Sequence, residues 1–143
     1  MDGKLYDEDF VEWAQETARL LRSGSFDQID VEHLVEEVEG LASRDRREVW
    51  SRLRVLVLHL LKWRWQPEKR CSDWKVAIIH ERQELDLLFE QSPSLKRTAG
   101  ESLADAYPVA VELASIETDL PEESFPSECL FSVEQTLDHD FLP

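Results

Sequence analysis

The motif EEVEG places three carboxylates, Glu36, Glu37 and Glu39, within one helical turn of one another. With an imidazole such as His59, one or two of them could build the carboxylate and histidine set that binds a divalent metal inside helical bundles. That chemistry normally draws on Glu-x-x-His repeats from facing helices, and the sequence contains none. Glu36, Glu37 and His59 are therefore candidate metal ligands set against a simpler account, a solvated acidic helix face. On that account no metal and no other cofactor is expected.

A second constellation is charged and apolar at once. Glu81 and Arg82 fall within the helical arc of Trp74, Ile78, Leu85 and Phe89. Leaving a buried charge unpaired costs on the order of a few kcal/mol, so both should have partners. Arg82 is expected to meet a carboxylate such as Glu37 or Glu39, and Glu81 to meet Arg52, Arg64 or His59. Glu37, Glu39, Arg52, His59, Glu81 and Arg82 would then form an interhelical polar network that fixes helix register.

The stretch HLLKWRWQP, His59 to Pro67, gathers two tryptophans with a histidine, a lysine and an arginine. Trp63 and Trp65, two residues apart, cannot share a helical face, and Lys62 and Arg64 diverge by about 200°. The segment is thus a poor stacking platform for bases. It is better explained as the end of a buried helix whose charged heads reach water along apolar stems. Trp50, Trp63, Trp65 and Trp74 are expected to form a central aromatic cluster. A nucleic-acid interface would instead use Arg44, Arg46, Arg47, Arg52 and Arg54 as a phosphate-contacting stripe, but these do not share a narrow face.

The elements that must position these residues read as helices. Phe10, Val11, Ala14, Thr17, Ala18 and Leu21 form a stripe in a helix from about Asp7 to Arg22, stopped by Ser23 and Gly24. Asp30 is the expected N-cap of a second helix carrying Leu34, Val35, Val38, Leu41 and Ala42. A third pattern runs from Arg44 to about Gln66 through Val49, Trp50, Leu53, Leu56, Val57, Leu60 and Leu61. Val55, Leu58 and Trp65 occupy its opposite side, which marks it as the central helix. The sequence leaves open whether it continues from the second.

Pro67 ends the third pattern. Ser72 is then the expected cap of a helix to about Gln91, and Ser92-Pro93 opens another through Leu95, Ala99, Leu103, Ala106, Ala110, Leu113 and Ile116. Pro108 falls inside it, where a kink or break near Tyr107 is expected. From Pro121 the chain is mostly extended, with Phe125, Leu130, Phe131, Phe141 and Leu142 as anchors. Ser132 and Gln135 there stand at capping-box spacing before one short helix.

Composition narrows the functional classes. The 143 residues carry a formal net charge of -15, which disfavours a generic binder of nucleic acid or anionic membrane. The positive charges concentrate in residues 44 to 82, with eleven Lys and Arg against five Asp and Glu. Such asymmetry marks either a binding surface or, the preferred reading, middle helices neutralised by acidic neighbours in the same bundle. The longest apolar run, VLVL from Val55 to Leu58, is far short of the roughly 20 residues that cross a bilayer. Cys71 and Cys129 stand far apart in no metal or redox motif, as expected of free thiols in a reducing compartment, and the opening MDGKLYDEDF lacks the features of a signal peptide. Neither a nucleophile elbow nor a glycine-rich phosphate loop occurs.

With these segments laid out, the chain resembles the bacterial domain of unknown function 29 family. The resemblance is carried by LYDEDFVEWAQETARLLRSG, FDQIDVEHLVEEVEGL, SRLRVLVLHLLKWRWQP, SDWKVAIIHERQELDLLFEQSPSL and FPSECLFSVEQTLDHDFLP, in that order. It implies a compact helical protein in which this domain is nearly the whole chain, and it implies no activity. Pro108 departs from the uninterrupted helix expected at that place.

The expected fold is all-α, a single helical domain over residues 1–143. Four to five main helices, mostly antiparallel, make the bundle, and the 121–143 tail with its short helix packs on the outside. The expected function is a non-catalytic protein–protein interaction module, cytoplasmic, contacting another protein or a second copy of itself. A nucleic-acid-associated protein using the basic 44–54 stripe, and a metal-dependent enzyme with a Glu/His site, are the alternatives.

Overall fold

The structure, a computed structural model, describes residues 4–143. Among them are seven α-helices and no strand: α1 Lys4–Glu8, α2 Phe10–Ser23, α3 Val31–Trp65, α4 Ser72–Gln91, α5 Pro93–Arg97, α6 Ala99–Thr118 and α7 Val133–Leu137. The fold is all-α. The chain divides into two compact units, one ending at Arg44 and the other Asp45–Pro143. Residues 31 to 65 form one helix of 35 residues, so the second and third sequence patterns are continuous.

In the first unit, local chemistry sets the boundaries. The helix expected from Asp7 is broken at Asp9, whose extended backbone and side-chain bond to the Glu12 amide at 3.0 Å make it the N-cap of α2. α2 ends at Gly24, which takes a left-handed φ of 73° while its N–H and that of Ser25 close on Leu21 and Leu20 carbonyls. Asp30 accepts the His33 amide at 3.4 Å at the start of α3.

The buried side of α2 differs from the sequence expectation. Trp13, Thr17 and Leu20 are buried, whereas Phe10, Val11 and Leu21 are exposed. Tyr6 supplies the reason. Its ring meets Trp13 edge-on at 4.9 Å and stacks on His33 at 4.0 Å, and its hydroxyl bonds to Glu37. The wedge of Tyr6 against Trp13 and the His33 side of α3 turns the Val35 and Val38 side outward.

The second unit holds a continuous apolar core. Val49, Leu53, Leu56, Val57, Leu60 and Leu61 of α3 pack with Ile78 and Leu85 of α4 and with Leu103, Ala106 and Ala110 of α6. Leu58, on the other side of α3, is buried too, so this part of α3 is enclosed from more than one direction. α4 starts at Ser72 with Cys71 in the capping position and no side-chain cap, not with Ser72 as cap. The helix expected to run from Pro93 to Ile116 divides at Thr98 into α5 and α6. α6 runs through Pro108 without a break, and Ile116, placed on its apolar stripe by spacing, is 70% exposed.

The 121–143 tail packs within this unit. Phe125 and Phe131 are buried, and the Tyr107 hydroxyl donates to the Pro126 carbonyl at 2.6 Å. Ser132 and Gln135 form the reciprocal capping box at the start of α7. His139 meets Asp86 at 2.6 Å, and Leu130 and Leu142 stay largely exposed.

Candidate interaction surface

The polar groups singled out in the sequence divide between local tasks. Arg52 is the hub of a half-buried network: its Nη1 lies 3.4 and 3.5 Å from the two oxygens of the buried Glu81, with Glu48 at 3.5 Å and Glu84 at 3.8 Å. Among the described residues Arg82, 1% exposed, pairs with no carboxylate. Its Nε donates to the Thr136 carbonyl at 2.9 Å and its Nη2 to the Gln135 carbonyl at 3.3 Å. Burial pulls this guanidinium below its ordinary range, while the Asp138 charge works the other way. The expected carboxylate partners, Glu37 and Glu39, are thus replaced by carbonyls of the last turn of α7. Those groups lie at the negative end of that helix, where the Gln135 carbonyl also accepts the Asp138 amide at 3.3 Å.

Glu37 accepts the Tyr6 hydroxyl, Glu36 and Glu39 are exposed, and His59 Nδ1 donates to the Val55 carbonyl at 2.8 Å. Among the described residues no group of three or more His, Cys, Asp or Glu gathers as a metal site would require. Glu36, Glu37 and His59 are therefore not brought together as ligands.

Trp50, Trp63 and Trp65 are partly buried against the core of the second unit. Each half-buried ring takes its own cation: Arg54 over Trp50 at 5.1 Å, Arg70 over Trp63 at 4.9 Å, Arg64 over Trp65 at 5.5 Å and Lys62 over Trp74 at 4.6 Å. Lys62 also reaches Glu117 at 3.1 Å, Arg70 donates to the Trp63 carbonyl, and Trp65 packs on Phe125. A cation held over an aromatic face is an internal contact of this unit. The basic and aromatic stretch from His59 to Pro67 is thus helix-end packing, with Lys62, Trp63 and Trp65 partly buried and the exposed Arg64 lying over Trp65.

One helix face is exposed and apolar. On the first part of α3, Val31, Val35, Val38 and Leu41 are 58%, 47%, 58% and 54% exposed. At 100° per residue these four span about 120° of the helix, with Leu34 inside the arc. Leu34, Val35, Val38 and Glu39 line an open groove there. Phe10, Val11, Leu21 and Phe26 of the same unit are also exposed. Sequence periodicity places Phe10, Val11, Leu21, Val35, Val38 and Leu41 on apolar stripes; what it does not show is that α2 and α3 are each apolar over more of their circumference than their contacts cover. A second surface feature, an open cleft lined by Asp86, Phe89, Glu90, Lys96, Val133 and Glu134, lies where α7 meets α4.

The described residues make an all-helical protein with an exposed apolar face on α3. The chain matches the family described as Domain of unknown function DUF29 over residues 5–142, and it belongs to that family. No curated protein and no solved structure matches it. Among the described residues no helix is long and apolar enough to cross a membrane.

Proposed function

We propose that the protein is a non-catalytic protein–protein interaction module and that the apolar face of α3 around Val35 and Val38 is its contact surface. The observation that carries this is the run Val31, Val35, Val38 and Leu41, each about half exposed at successive helical turns. Single exposed apolar residues are ordinary on any protein, but a contiguous apolar strip facing water has a free-energy cost that a partner removes. Interaction helices are read through anchors at this i, i+4, i+7 spacing. Cys71 and Cys129 are free thiols, which supports a reducing, cytoplasmic setting.

The test compares wild type with a Val35→Gln/Val38→Gln variant in affinity capture from native cell extract at low and high salt. Both positions are exposed and glutamine is a good helix former, so the fold is expected to survive and circular dichroism should not change. A protein retained by wild type and lost by the variant supports the module. Identical retention by both, with no change in sedimentation, counts against it. Nucleic acid released by salt would instead favour the basic residues at 44–54.

A further inference from the structure

We infer that the partner seated on the α3 stripe is a basic amphipathic helix of another protein. This rests on the interaction-module reading above and names its ligand. The stripe from Val31 to Leu41 is about 15 Å long, the footprint of roughly three turns of a docked helix. Leu34, Val35 and Val38 give that helix an apolar floor.

Charge selects the occupant. Beside Val35, the next positions around the helix are Glu39, Glu32 and Glu36, all exposed, so one edge of the floor is a row of three carboxylates. Residues 1–44 hold twelve Asp and Glu against four Lys and Arg. A second copy laid on the stripe would bring acidic segment against acidic segment, and an anionic lipid surface would be repelled for the same reason. The chain's own tail is already engaged within the second unit through Arg82 and Tyr107. A helix with lysine or arginine beside its leucines and valines meets both demands, burying the floor and pairing the edge.

The experiment titrates the full-length protein with two synthetic peptides of about 18 residues. Both carry the same leucine stripe at i, i+3, i+4 and i+7 spacing; one has lysine at every polar position and its twin has glutamate. At low salt the lysine peptide is expected to bind at least roughly tenfold more tightly than its twin. Val35→Gln/Val38→Gln should weaken it by about tenfold or more, and Glu32→Lys/Glu36→Lys/Glu39→Lys should reverse the preference. Equal binding of the two peptides by wild type overturns the inference. So does a wild-type dimer in sedimentation that Val35→Gln/Val38→Gln separates, because a second copy then covers the stripe; the module itself survives that result. If neither peptide binds and native-extract capture is also unchanged by the double substitution, the inference and the module fall together.

Discussion

Arg82 Nε donates to the Thr136 carbonyl at 2.9 Å, and this bond ties the middle of α4 to the last turn of α7. A buried guanidinium here rests on helix-end carbonyls and not on a carboxylate, so it works as a C-terminal cap supplied from another element.

Replacing Arg82 with methionine preserves most of the apolar volume and removes both donors. The Thr136 and Gln135 carbonyls lose these bonds, and stability should fall by about 2 kcal/mol. Hydrogen exchange should quicken across 130–140 while the amides of α3 around Leu56 and Leu60 stay protected. Unchanged exchange in the tail would show that Arg82 does not hold it.

The chain has two tyrosines, and both are held protonated. Tyr6 is pushed up to about 12, first by its hydrogen bond to Glu37, and Tyr107 to about 12, first by burial. In the unfolded chain both would ionise near 10. Because the folded state keeps its protons longer, stability should decline as pH rises from 10 toward 12. Phenolate absorbance should therefore show little ionisation at pH 10; a half-ionised signal there would contradict both contacts.

Asp30 and His33 give the first unit a window of pH. Their contact at 2.5 Å raises His33 above its ordinary value, chiefly through the Asp30 hydrogen bond with the charges of Asp30, Glu36 and Asp7 adding, and it lowers Asp30. The His33 contribution is complete below the unfolded histidine value and is lost as pH rises through the folded one. The Asp30 contribution is present above the unfolded aspartate value and is lost as pH falls through the folded one. NMR titration should place His33 above 6.5, and Asp30→Asn should bring it down. A His33 midpoint indifferent to that substitution would refute the pairing.

Lys62 lies between the Trp74 ring at 4.6 Å and the Glu117 carboxylate at 3.1 Å, with its side chain only 12% exposed. Lys62→Gln should cost about 1 kcal/mol through the lost cation–π contact and should alter tryptophan emission. Glu117→Gln should cost less, since that carboxylate is half exposed. Equal costs from the two substitutions would place the energy in the ion pair instead of the ring contact.

Periodicity alone made the central part of α3 legible. Val49, Leu53, Leu56, Val57, Leu60 and Leu61 repeat on one side, and Leu58 on the other, because a helix enclosed by neighbours must be apolar on both. The capping box at Ser132 and Gln135 and the stop at Gly24 were equally local, each set by side-chain or backbone chemistry within a few residues. The all-α class followed from such signals.

Which apolar face is covered is a different kind of fact. On α2 the spacing fits the Trp13 and Leu20 side as well as the Phe10 and Val11 side, and only the Tyr6 wedge selects the first. The burial of Arg82 was readable from its place in the stripe of α4, but its acceptors lie 53 and 54 residues away, on a turn of tail that no local pattern joins to it. The sequence by itself determined the all-α class, the stop at Gly24, the capping box of α7 and the polar and apolar character of each face, since these depend on interactions spanning a few residues. The tertiary structure alone decided which faces meet, which carbonyls receive Arg82 and which apolar stripe stays exposed, because those outcomes are set by competition among contacts distant along the chain.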